Sequence, residues 1–150
     1  MKSIIFLLLI SGIFGIPGLA QNPRSTASAL PSGSANWNGE DSSKILNDPV
    51  IKARLRKLLG KTNYASFMES FETLTPITKD GNVLFASGCL IHACTHLEAA
   101  IAIDLGNNTI HAAIYNDKKP TRFFDERGIK SPKPVIAWAK NLNDLKGNKP

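Results

Sequence analysis

Beyond Thr75-Pro76 the period of the sequence changes from 3.6 to two, with short turn-forming stretches between the runs. Val83 to Ser87 reads as one strand. Leu97, Ala99, Ile101 and Ile103 alternate with Glu98, Ala100, Ala102 and Asp104 in a second. Gly106-Asn107-Asn108 makes a tight turn into Ile110, Ala112 and Ile114, which alternate with His111, Ala113 and Tyr115. Asn116-Asp117-Lys118-Lys119-Pro120 makes the next turn, and Thr121 to Asp125 forms a further strand. A period of two sends successive side chains to opposite faces of a sheet. Turns of three to five residues are too short for the crossover that parallel neighbours need, so the strands form an antiparallel meander.

The flanking segments have the helical period instead. Asp48-Pro49 is an N-cap and first-turn pair. Ile51, Leu55, Leu58 and Leu59 follow at helical spacing, and Gly60 supplies a stop. The other face carries Lys52, Arg54, Arg56 and Lys57, which reads as solvated. Asn63 can cap a second short helix whose core stripe is Tyr64, Phe67, Met68 and Phe71. A last helix spans about 134–145, with Val135, Trp138, Leu142 and Leu145 on one face and Gly147 at its end. The expectation is an α+β domain: an antiparallel β-meander sheet with helices packed on one face.

The ends read differently. Residues 1–20 open with Lys2, continue through an apolar stretch from Ile4 to Ile10, and finish with small residues at Gly18 and Ala20. That is the pattern of a secretory signal peptide cut after Ala20, leaving no later run able to span a bilayer. Residues 21–43 are rich in Ser, Asn, Gly, Pro and Ala and read as a flexible low-complexity arm, since they hold almost nothing to bury apart from Trp37. The folded domain is expected over 44–150.

Export bears on the chemistry. The chain carries a net charge of +6, of which the leader removes only Lys2. Its cations are scattered, without a long basic run or interleaved aromatics, so the composition points away from nucleic acid and toward an acidic envelope polymer or an acidic cleft. The chain has two cysteines, Cys89 and Cys94, and in an oxidising compartment such a pair reads as a disulfide. It closes a short ring between two strands, which stabilises by roughly 2 kcal/mol through loop entropy. Inside the ring are Leu90, Ile91, His92 and Ala93. Apolar residues at a tight tip suit burial in a partner or folding back onto the core.

The segment S-G-C-L-I-H-A-C-T-H, placed between two strands behind a leader and a short helical region, resembles the inhibitor of vertebrate lysozyme family, the Ivy-like proteins. The likeness runs over roughly residues 45–145 and is strongest from Val83 to Tyr115. Family members are periplasmic inhibitors of c-type lysozyme built on an antiparallel sheet with helices against it, and they can form homodimers. Their loop reads C-K-P-H-D-C; this one reads C-L-I-H-A-C, with Leu90, Ile91 and Ala93 replacing Lys, Pro and Asp. The resemblance implies that Cys89 and Cys94 form the family's disulfide. It also implies that His92 is the histidine inserted into the lysozyme active site, and that the chain is a periplasmic inhibitor without a cofactor.

Two other readings stay open. Cys89, His92, Cys94 and His96 are all metal-ligand types, although C-x2-H-x-C-x-H fits no usual finger spacing. The same loop could also address an endogenous murein-cleaving enzyme such as a lytic transglycosylase, which likewise holds a carboxylate in a sugar cleft. An enzyme is not expected: the chain has no G-x-S-x-G, no H-E-x-x-H and no glycine-rich phosphate loop. Glu69/Glu72 read as helix surface, Asp125-Glu126-Arg127 as a solvated turn, His96 as the start of a strand and His111 as a surface residue.

Overall fold

A computed structural model describes residues 28–147. The expected leader, with its cleavage after Ala20, lies outside them, as do residues 21–27 of the expected arm. The element order is α1 (Ser43–Asn47), α2 (Pro49–Glu69), β1 (Thr73–Leu74), β2 (Thr78–Asp80), β3 (Val83–Cys89), β4 (Leu97–Asp104), β5 (Thr109–Asn116), β6 (Lys119–Asp125) and α3 (Lys133–Gly147). Every strand pairing is antiparallel, in the order β1-β3-β4-β5-β6, with β2 also on the free side of β3. The α+β class and the meander are as expected from the period of two.

The two short strands β1 and β2 were not expected, because neither is long enough to show a period. β6 takes in Lys119 and Pro120, which the sequence placed in a turn. It is an edge strand, where a proline's missing N–H removes no ladder bond.

α2 starts as its sequence predicts. The Asp48 side chain accepts from the N–H groups of Val50 and Ile51 at 2.9 and 3.0 Å. Gly60, with φ 67°, breaks it into two helical pieces. On the sheet face below, Leu84, Ala86, Ala99, Ile101, Ile103, Ile110, Ala112 and Ile114 pack in one core with Ile45, Ile51, Leu55, Leu59 and Phe67.

The helices do not share one face. α3 covers the opposite side, where Ala102 and Ala113 meet Val135, with Val83, Phe85 and Trp138 around them. Ala100, Ala102 and Ala113 are fully buried there. An alternate set made of alanines gives no sign of whether it is covered, and small side chains let a helix come close. Within α3, Val135, Ala139 and Leu142 form the buried stripe, and Leu145 is exposed rather than part of it. The buried Tyr115 hydroxyl donates to the Leu142 carbonyl at 3.3 Å. Burial, with the Asp117 and Glu98 charges nearby, raises that phenol above its ordinary 10.0.

The described part of the 21–43 segment is not a loose arm. Trp37 is buried in the main core, and Leu30 packs against it. The Gly39 N–H donates to the Ile77 carbonyl at 2.7 Å, and the Ile77 N–H returns to Glu40 at 2.8 Å. One tryptophan and a run of backbone pairing supply what composition did not show.

Candidate functional site

The Cys89–Cys94 loop grows from a clamped root. Phe71, packed on Phe67 with ring centroids 4.8 Å apart, lies over Gly88. A Cβ at Gly88 would come within 2.8 Å of the Phe71 ring and of the Thr73 carbonyl, so only glycine allows this approach. β1 pairs Thr73 with Cys89 and Leu74 with Gly88 on one side, and β4 pairs Glu98 with Cys89 on the other. Cys89 is thus held in the sheet, and Cys94, 5.0 Å away between Cα atoms, is bound to it as a disulfide.

The loop backbone closes on itself. The Leu90 N–H donates to the Leu97 carbonyl, the Ala93 N–H to the Leu90 carbonyl, and both the His96 and Leu97 N–H groups to the Ala93 carbonyl, at 2.9–3.2 Å. Two carboxylates add outside support: the Ile91 N–H donates to Glu72 at 3.2 Å and the Thr95 N–H to Glu98 at 2.8 Å. His92 and Thr95 have left-handed backbones, with φ of 61° and 69°.

This bonding leaves the tip projecting. Ile91 is 50% exposed, His92 is exposed and Leu90 is half-buried. The His92 ring makes no hydrogen bond or ion pair among the described residues, in contrast to the other two histidines. His96 Nδ1 lies 2.7 Å from Asp117 Oδ2, with the side chain still more than half exposed. His111 is fully buried rather than on the surface. Its Nδ1 lies 2.8 Å from Asp125 and its Nε2 3.1 Å from the Thr109 hydroxyl.

The metal reading of Cys89, His92, Cys94 and His96 is corrected by the disulfide. With both sulfurs joined there is no thiolate to offer, and among the described residues no group of three such side chains converges. The Asp125-Glu126-Arg127 turn is also more than solvated surface. Asp125 serves His111, and Glu126 forms an ion pair with Arg54, a buried residue rather than part of a solvated helix face.

Sequence reasoning found the ring and its histidine. It missed Glu72 and Glu98 as loop supports, and Glu72 lies past the end of α2 rather than on it. Glu98 alternates along β4 like any surface residue, so period alone could not mark it.

No helix among the described residues is long and apolar enough to cross a membrane. No curated protein and no solved structure matches the chain. A family model described as inhibitor of vertebrate lysozyme (Ivy) matches residues 50–144.

Proposed function

The chain belongs to the inhibitor of vertebrate lysozyme family, and from that premise we propose that it is a periplasmic inhibitor of c-type lysozyme that inserts its Cys89–Cys94 loop into the active-site cleft. One observation carries this reading: an exposed imidazole without a hydrogen-bond or ion-pair partner among the described residues, at the tip of a loop held by backbone hydrogen bonds on both of its arms. A c-type lysozyme holds two carboxylic groups across a narrow groove. An imidazole placed between them can hydrogen-bond to both through its two ring nitrogens. Its protonated form is favoured by a neighbouring carboxylate. Because the loop is held by a disulfide, by its own backbone bonds and by Glu72 and Glu98, little conformational entropy is lost on insertion.

The test is clearing of a cell-wall suspension by c-type lysozyme. Wild-type protein slows clearing, and His92→Ala leaves it at the uninhibited rate while melting at nearly the wild-type temperature, since the exposed ring makes no hydrogen bond or ion pair among the described residues. Inhibition that survives His92→Ala removes the histidine from the mechanism. Reduction of the Cys89–Cys94 bond is expected to weaken inhibition as well, and full activity after reduction means that ring closure is not needed.

A second reading is favoured by Ile91. A half-exposed isoleucine beside the histidine suits a cleft with an apolar lip next to its acid. The target in this reading is an endogenous lytic transglycosylase, which likewise holds a carboxylate in a sugar cleft. Assays against c-, g- and i-type lysozymes separate the readings: inhibition of none of the three, with capture of a murein-cleaving enzyme from the periplasm, selects the endogenous target.

A further inference from the structure

We propose that Glu98 and Trp138 are positioning residues for the Cys89–Cys94 loop, holding Thr95 in its left-handed conformation and thereby fixing where the ring and His92 stand. This deepens the proposed function and rests on it for its inhibitory readout.

Thr95 is β-branched, and its φ of 69° is one that such residues rarely adopt. A left-handed backbone is unfavourable at a residue with a Cβ and persists where the surroundings over-determine it. The surroundings here are specific. The Thr95 N–H donates to one oxygen of Glu98 at 2.8 Å, and the other oxygen accepts from the Trp138 indole N–H at 3.3 Å. Glu98 is also the cross-strand partner of Cys89. A single carboxylate therefore joins the sheet beside the first cysteine to the residue directly after the second. Trp138 comes from α3, packed beside Val83 and Phe85 on the far face of the sheet from α2. Its N–H orients the carboxylate, so the last helix reaches the loop through Glu98.

Glu72 supports the incoming arm of the loop through the Ile91 N–H. The outgoing arm depends on Glu98, and Thr95, which with His92 is one of the loop's two left-handed residues, lies there. Cys94 precedes Thr95 directly, so relaxation at Thr95 passes through the disulfide into the ring.

The experiment measures amide hydrogen exchange at Thr95 and inhibition of cell-wall clearing in the same whole-protein variants. Glu98→Ala is expected to speed Thr95 exchange by about tenfold, the effect of losing one hydrogen bond to a charged group, and to weaken inhibition several-fold. Trp138→Phe keeps the ring packing and removes the donor, so a smaller change of the same sign is expected in both readouts; it serves if Glu98→Ala fails to fold. Thr95→Gly in the Glu98→Ala background is expected to restore inhibition, because glycine takes a positive φ without a Cβ penalty. A purely structural role for Glu98 would not be rescued in this way. Unchanged Thr95 exchange in both single variants, or a double variant as weak as Glu98→Ala, overturns the proposal. If the wild-type protein inhibits no lysozyme, the functional reading fails by itself, and the exchange rates still decide whether Glu98 and Trp138 hold the loop.

Discussion

At the scale of single residues, two neighbours show how unequal sequence signals are. His92 stands inside a ring of two cysteines, and its exposure follows from the tightness of that ring. Gly88 stands one residue before the ring and looks like an ordinary strand glycine, yet its missing Cβ is what admits Phe71 and the Thr73 carbonyl. Gly88→Ala puts a methyl group within 2.8 Å of both. The backbone carbonyl cannot swing away as a side chain would. Overpacking of this kind costs about 1–3 kcal/mol, so the urea midpoint of Gly88→Ala is expected to fall. Inhibition should weaken with it, because the root of the loop moves.

At the scale of elements, the strands and helices were legible wherever their period was long enough. β4 and β5 could be read from alternation, β3 and β6 from short runs bounded by turn signals, and α2 from its Asp48-Pro49 start and Gly60 break. What could not be read was the use made of polar residues at element ends. The β4–β5 turn is an example. Burial would raise the Asp104 carboxyl, but hydrogen bonds from the Asn107 amide and N–H and from the Gly106 N–H, with His111 nearby, hold it below its ordinary 3.8. The Asn107 contacts are 2.9 and 2.8 Å. A carboxylate whose folded value is depressed contributes stability above its unfolded value and loses it as pH falls through the folded one. Asp104→Asn is therefore expected to be less stable than wild type at pH 7, with the gap closing below pH 3.8; urea unfolding at the two pH values measures it. The β5–β6–α3 junction works in a similar way. Asp125 takes both His111 and, at 2.6 Å, the Ser131 hydroxyl just before α3. A histidine in an alternating strand looks solvated until a helix is laid over it.

At the scale of the whole molecule, Arg54 joins parts of the chain that lie far apart in sequence. Its guanidinium pairs with Glu126 and donates to the Ser28 carbonyl, the Asn108 side chain and the Asn108 carbonyl. Glu126 in turn accepts from the Ile110 N–H at 2.9 Å. Both partners are largely buried. Removing one member of such a pair leaves a charge without compensation and costs about 3–5 kcal/mol. Arg54→Ala is expected to lower the unfolding free energy by that amount, read from urea denaturation, and to loosen segment 28–42 together with the β4–β5 turn. A variant as stable as wild type would show that the contacts are replaced by solvent without loss.

Alternation, helical spacing and a short cysteine ring were enough to establish the antiparallel sheet, the helices that flank it and the loop that carries His92. These are local properties, set by backbone geometry over a few residues. The burial of Arg54 and His111, the docking of Trp37, the second helical cover on the alanine face and the grip of Glu98 and Trp138 on Thr95 needed the assembled fold. A charged or small side chain reads the same in sequence whether it meets water or a partner dozens of residues away, and only the packing of distant elements supplies that partner.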